Sequence, residues 1–457
     1  MREGASYMKK KLIVVIAVFS ILAIGLGSYF GYLYSNTNKW TNLVYPGVKI
    51  EDVDVSGKTL EEAKVLINEK YGAEILKKNI TIKTAAKAYS LDYAKLNAKY
   101  DIEEVVKKAF DYGKSNNLIE KYKIIKAAKE YKLNLKFVYD PKPVNELIAA
   151  MKKEIDITPV DGSISFSDGK FSVVADKKGA KLNDTELSKT ILSKINGDVK
   201  SPNISVDAPI EVLQANLTKE KLDTLNTKIS SYTTNFSTSS YERSTNITLA
   251  TKSINGKLLM PGQEFSFNQT VGQRTSARGY QVAPVIVGTK VEADFGGGIC
   301  QVSTTLYNAV IRANIIASER HPHTMPSHYM GPAMDATVDW GNLDYKFVNT
   351  LAFPVYIEAY VNNKNIYFNI YSNSSLTNRT YDMVNEVYAT IQPGVKYVDD
   401  PTMPEGQTAQ EQSPSVGIKA KAYKNTYENG KLIEHKQIAD DYYKPIDEII
   451  KKGTKKN

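Results

Sequence analysis

One thiol and a cluster of imidazoles are the residues best equipped for chemistry. Cys300 is the single cysteine of the 457-residue chain, and three of the four histidines, His321, His323 and His328, follow it 21 to 28 positions later. A cysteine nucleophile needs a base within hydrogen-bond reach and a third polar group that fixes the tautomer of that base. His321 and His323 flank Pro322, so an extended backbone there sets both rings on one face, and either could serve as base. Asp335 is a candidate orienter of the imidazole. Glu319 and Arg320 could bind a substrate carboxylate or pair with each other. Zinc held by Cys300 and the histidines would use the same residue types but leaves the glycine run before the thiol unexplained, so neither a metal nor a cofactor is expected.

The elements that must position the thiol are legible on either side of it. Gly296, Gly297 and Gly298 lead through Ile299 into Cys300, after which Val302, Leu306, Val310 and Ala313 recur at helical spacing. The thiol therefore sits in the first turn of a helix, near the positive end of its dipole and its unpaired N–H groups, which favour thiolate. Glycines there let a substrate carbonyl approach the main chain, so Gly297, Gly298 and Gln301 are candidates for the oxyanion and substrate-approach surface. Ser303, Tyr307 and Arg320 are candidates for substrate contact. The alternative is a packed cysteine after a flexible turn.

The rest of the chain sets the context. Hydrophobic residues make up 42% and charged residues 24%, which excludes wholesale disorder, a collagen-like repeat and a multi-span membrane protein. The length suggests about three folded units, and one cysteine excludes an intramolecular disulfide and any multi-cysteine metal site. The net charge of +9 comes without an arginine-rich or aromatic-interleaved motif. It fits a polyanionic neighbour or a plain lysine bias better than nucleic acid. Arg2 and Lys9 to Lys11 precede an almost charge-free run over 12–34, long enough for a tilted bilayer-spanning helix. Residues 1–11 then read as a cytoplasmic tail, 12–34 as a single-pass anchor in the cytoplasmic membrane and 35–43 as a polar stalk, with everything beyond extracytoplasmic. A cleaved signal peptide is the rival, although no A-x-A site follows.

Residues 44–212 read as an α+β module. Thr59 and Glu62 form a capping box before an amphipathic helix, Asp168-Gly169 turns a hairpin between Ile164, Phe166 and Phe171, Val173, and Asn183 with Glu186 opens another helix. The stretches Gly47 to Ile50, Val55 to Ala63 and Pro159 to Asp161 leading to Phe171 resemble a family of extracytoplasmic peptidoglycan-binding modules. Residues 222–372 hold the Cys/His constellation. Residues 373–457 read as a small β module around an Asn429-Gly430 turn, similar to G5 domains. The fold class expected is thus multidomain α+β: one N-terminal transmembrane helix, an α+β wall-binding-like domain, a mixed α/β catalytic domain and a β module.

The middle region carries ordered motifs: Arg243-x-x-Asn246-Ile247, Pro261-Gly262, Phe265 to Asn268, Val271-Gly272-x-Arg274, Gly279-Tyr280, Gly296 to Ala309, Glu319-Arg320-His321-x-His323 and Asp335 to Val338. It resembles a VanW domain. The resemblance implies a wall context and a link to L,D-transpeptidases that are similar to the YkuD type in using a cysteine nucleophile. Carried over by position, it implies Cys300 as nucleophile and His323, in the E-R-x-x-H pattern, as base. Thr324 stands where serine is common. The function implied is a membrane-anchored L,D-transpeptidase that joins donor and acceptor peptidoglycan stem peptides in 3-3 crosslinks through an acyl-thioester. A cysteine peptidase of the wall and a non-catalytic wall-binding scaffold are the alternatives. The topology is testable: protease added to intact, wall-stripped cells should remove everything after about residue 35, and a protected C-terminal region would overturn the exterior placement.

Overall fold

The computed structural model describes residues 2–287 and 290–456. The chain forms two compact units, one of Met1–Pro159 with Lys178–Leu213 and one of Val160–Lys177 with Gln214–Asn457.

The first unit opens with the helix Arg2–Asn38, whose portion Tyr7–Asn38 is long and apolar enough to cross a membrane. The helix does not give way to a stalk at residue 35. Leu33 and Thr37, four apart and so on one face, are buried, and Tyr32 meets Tyr122 edge-on at 5.9 Å. The end of the helix is thereby part of the folded unit. Two hydrophobic clusters follow, one around Val48, Ile50, Ile67 and Val106, the other around Ile80, Ile82, Met151 and Ile191. The expected capping box forms at Thr59 and Glu62 ahead of Leu60–Ile67, and Asn183 caps Asp184–Lys194. The strand Ile204–Asp207 pairs in parallel with Asn79–Lys83, a long-range pairing that brackets most of the unit.

The hairpin Ser163–Ser167 with Lys170–Val174 forms in the expected register, turning through Asp168 at φ 51° and Gly169 at φ 75°, the two left-handed residues that a tight hairpin turn requires. It belongs to the second unit rather than to the residues flanking it in sequence. Phe166 and Phe171 pack on Tyr356 and Tyr371, with ring centroids 4.7 to 5.9 Å apart. Aromatic burial, rather than chain order, decides where this hairpin goes.

The second unit is built on an antiparallel sheet in the order Thr227–Asn235, Asn365–Ser372, Val355–Asn362, Lys257–Leu259. The helices Tyr241–Ile254 and Ile299–Ile311 pack against it. Every residue from Gln301 to Ile311 is buried, so this helix is enclosed on all sides rather than amphipathic, and its polar side chains must find partners inside. A smaller sheet of Glu264–Ser266, Lys346–Val348 and Ala317–Glu319 leads the chain towards the histidines. The C-terminal strands form two further sheets, Arg379–Ile391, Gly417–Glu428, Lys431–Tyr443 and Val395–Pro404, Glu448–Lys455, Thr408–Gln412. The first of these is not free-standing: Met383, Ala420 and Ala422 share one hydrophobic core with Val302, Leu306 and Phe347.

The glycine run is what lets the enclosed helix start where it does. Gly296 and Gly298 have φ of 92° and 101°, and a Cβ on Gly297 would lie 2.5 Å from the carbonyl oxygen of Pro284. Gly297→Ala should therefore lower stability by about 1–3 kcal/mol, the range for overpacking, measured by denaturant unfolding; an unchanged midpoint would contradict the packing.

Candidate active site

Cys300 is the second residue of its helix, with Gly298 as the N-cap, and it is half-buried. Its Sγ lies 3.5 Å from the carbonyl oxygen of Val338. Among the described residues, no acceptor takes the N–H of Gly297, Gly298 or Cys300, the orphan donors of a helix start. His323 arrives on the extended segment after Ala317–Glu319 and is buried. Its backbone N–H donates to Oδ2 of Asp335 at 2.8 Å and its Nδ1 bonds the same oxygen. Nδ1 being taken, Nε2 is left, 3.4 Å from the Tyr329 hydroxyl, and His323 and Cys300 are close enough that each shifts the pKa of the other. The imidazole of His323 is thus bonded to the carboxylate of Asp335 and coupled electrostatically to the thiol of Cys300.

The electrostatics of the three groups are mutually dependent. Burial pushes the Cys300 thiol up, but the hydrogen bond and charge of His323, with Arg274 nearby, outweigh it and bring the thiol below its ordinary value. Burial disfavours the imidazolium of His323, yet Asp335 and Cys300 together hold its pKa up at about 10. Asp335, although buried, is held down at about 2 by His323, Arg320 and Tyr443. The direction throughout is towards a thiolate–imidazolium pair.

Asp335 is 1% exposed, and its second oxygen, Oδ1, accepts from Arg320 Nη2 at 3.0 Å and from the Tyr443 hydroxyl at 2.6 Å. Arg320 also donates through Nε to the Asp335 carbonyl at 2.6 Å. Its guanidinium is committed to the protein and does not face a substrate.

The remaining candidates separate. His321 does not join His323: it is half-buried, with Nε2 3.4 Å from Glu319, and His328 is exposed. Gln301 is buried and braces the fold, donating to the Asn235 carbonyl at 2.9 Å and accepting from Arg243 at 2.9 Å. Ser303 donates to the Ala336 carbonyl at 2.6 Å, and Tyr307 is buried with Arg320 over its ring. The space beside Gly297 and Gly298 is filled by Pro284, Ala283 and Ile247, so these glycines serve close packing of the protein on itself. Among the described residues no group of three or more His, Cys, Asp and Glu side chains is arranged to hold a metal ion.

Tyr329 and Tyr443 carry no signal in the sequence that marks them for this site. Arg274 stands inside a recognised motif and donates to Asn268 at 2.7 Å, while its Nη2 is buried with no partner among the described residues. Its motif position was the available signal. Tyr443 lies 108 residues from Asp335, and no spacing in the sequence could have linked them.

Helix-borne thiol, buried imidazole and buried carboxylate fall in a stretch, residues 242–371, that matches the family described as "VanW like protein". Residues 89–203 match the "Putative peptidoglycan binding domain" family, and 383–455 match the G5 domain. The chain belongs to the VanW family, a group of cell-wall-associated proteins. It is 35% identical over 209 residues to the uncharacterised protein YoaR of Bacillus subtilis (strain 168), a match covering 46% of this chain and 68% of YoaR. Over 109 residues it is 29% identical to the vancomycin B-type resistance protein VanW of Enterococcus faecalis (strain ATCC 700802 / V583), covering 23% of this chain and 40% of that protein. Of solved structures, the G5 domain of an IgA1 protease is similar at 19% identity, covering 17% of this chain and 93% of that one, with a TM-score of 0.14, too low to carry a structural argument.

A thiolate–imidazolium pair makes a direct prediction. Alkylation of Cys300 by iodoacetamide, followed by mass spectrometry against pH, should have its midpoint below the ~8.5 of a free thiol. In His323→Ala the midpoint should rise, because the cation that lowers it is gone. A midpoint at or above 8.5 in the unaltered chain would remove the pair.

Proposed function

We propose that the chain is a membrane-anchored, extracytoplasmic cysteine L,D-transpeptidase that forms 3-3 crosslinks in peptidoglycan. The observation that carries the reading is the half-buried thiol of Cys300 at the start of an enclosed helix, coupled electrostatically to the buried, hydrogen-bonded pair His323–Asp335. The N-terminal apolar helix supplies the anchor, and the match to peptidoglycan-binding modules supplies the polymer, which raises the local concentration of stems at the site.

In the first step the thiolate of Cys300 attacks the carbonyl carbon of the third residue of a tetrapeptide donor stem. The oxyanion that develops is met by unpaired N–H groups at the helix start. As the C–N bond to the terminal D-Ala breaks, imidazolium His323 gives its Nε2 proton to the departing amine, and an acyl-thioester remains. In the second step the side-chain amine of an acceptor stem attacks the thioester. His323 takes the amine proton, the C–S bond breaks and the thiolate is restored, leaving the new amide. Asp335 keeps Nδ1 protonated throughout, so that Nε2 alone exchanges protons with the reactants. Water in place of the amine would make the same site a peptidase.

Purified protein and defined tetrapeptide stems, with products read by mass spectrometry, test the proposal. Cys300→Ala should abolish the crosslinked product with the fold intact. His323→Ala should cost about 10²- to 10⁴-fold, the usual contribution of a general acid–base group, and His321→Ala and His328→Ala far less. A chelator should leave the rate unchanged. Crosslinking that persists in Cys300→Ala would end the mechanism, and tripeptide released without crosslinks at any acceptor concentration would favour the hydrolase.

A further inference from the structure

The strand Lys431–Tyr443 ends in an alternation that its own sheet does not require. Asp441 and Tyr443 are buried while Tyr442 between them is 46% exposed, as the pleat demands of a strand with one enclosed face. An enclosed face is ordinarily apolar, and placing a carboxylate and a phenol there costs desolvation unless both find partners. Their partners lie outside the C-terminal region. The Tyr443 hydroxyl accepts from the Ala333 N–H at 2.7 Å and donates to Asp335 Oδ1 at 2.6 Å. Asp441 takes Nη1 of Arg320 at 2.5 Å, while Nη2 of the same guanidinium holds Asp335 Oδ1.

We infer that Asp441 and Tyr443 are positioning residues of the reactive centre, so that the strand Lys431–Tyr443, within the G5-matching region, completes the site in the VanW-matching region. They act only through Asp335. With Oδ1 fixed by Tyr443 and Arg320, Oδ2 is left facing His323, where it bonds both the backbone N–H and Nδ1. The carboxylate cannot rotate without breaking four buried bonds. Asp441 has a second effect: it shares the charge of Arg320, so the guanidinium does not draw Asp335 wholly away from the imidazolium. A buried ionic group of this kind adds little net stability compared with apolar packing and is better suited to holding one geometry. The charged and titratable groups facing the assembly include Cys300 and Tyr307 from the enclosed helix, Arg320 and Tyr329 from the segments around His323, Arg243 and Arg274 beside the thiol, and Asp440 next to Asp441 on its own strand. Burial raises Asp441 while Arg320 opposes it, in keeping with its dependence on that partner.

The inference rests on the Cys300–His323–Asp335 centre proposed above but not on the reaction it performs. The test is therefore alkylation of Cys300 in the full chain, which needs no stem peptide. Tyr443→Phe and Asp441→Asn should each slow iodoacetamide modification at pH 7 by about 3- to 10-fold and move its pH midpoint upward by about half to one unit, with a cooperative thermal transition retained. Tyr442→Phe, on the exposed face, should match the unaltered chain. If Tyr443→Phe does not fold, Asp441→Asn, which keeps side-chain volume, decides alone. A folded Asp441→Asn with unchanged rate and midpoint would overturn the inference. A chain that alkylates as expected yet forms no crosslink would leave it standing and overturn only the transpeptidase reading.

Discussion

The carboxylate of Asp335 is the constraint around which the second unit is organised. A buried charge without partners is intolerable in a protein interior, and here each oxygen is satisfied by groups from different parts of the chain: His323 on one side, Arg320 and Tyr443 on the other. Satisfying it draws together the segment after Ala317–Glu319, the loop carrying Asp335 and the end of Lys431–Tyr443. The imidazole is oriented as a by-product of solving that electrostatic problem. Removing any one partner leaves a buried oxygen short of a hydrogen bond, so the stability of the centre and the orientation of its imidazole depend on the same bonds.

The thiol is placed by a different kind of constraint. The helix Ile299–Ile311 is enclosed on all sides, and its polar residues are consumed by bonds to the structure around it: Ser303 to Ala336, Asn308 to Met334, Thr305 to Thr234. A helix so tightly held cannot shift, and Cys300 in its first turn cannot shift either. The glycines ahead of it allow the main chain to pass against Pro284 and Ile247 with no room for a side chain. On the proposed reading, that rigidity is what holding an attack geometry to a fraction of an ångström requires.

Against that background the family boundaries and the packing boundaries diverge. The G5-matching residues 383–455 contribute Met383, Ala420 and Ala422 to the core of the VanW-matching region, and the hairpin Ser163–Ser167 with Lys170–Val174 joins the second unit although it lies within residues 89–203, matched to the peptidoglycan-binding family. Sequence families record inherited segments; buried area records which segments depend on one another. The first unit, with the apolar helix docked through Leu33 and Thr37, is compact on its own terms.

Much was written locally in the sequence. The apolar helix, the Thr59/Glu62 capping box, the Asp168-Gly169 and Asn429-Gly430 turns and the glycine entry to the Cys300 helix all follow from contacts between residues a few positions apart, which is the range over which spacing carries information. Cys300 and the pairing of His323 with Asp335 were also within reach, because few residue types can do that chemistry and they stood close together. What the sequence could not decide was which way each side chain faces. Gln301, Ser303, Tyr307 and Arg320 lie beside the reactive groups in the chain, yet the enclosed helix and the buried carboxylate turn all four inward to bond the protein itself. Nor could it place Tyr443 against Asp335 across 108 residues, since that contact exists only once the last sheet packs into the core. Local bonding is encoded by neighbours in sequence, whereas the satisfaction of a buried charge is a property of the whole fold, and only the tertiary structure determines which residues share in it.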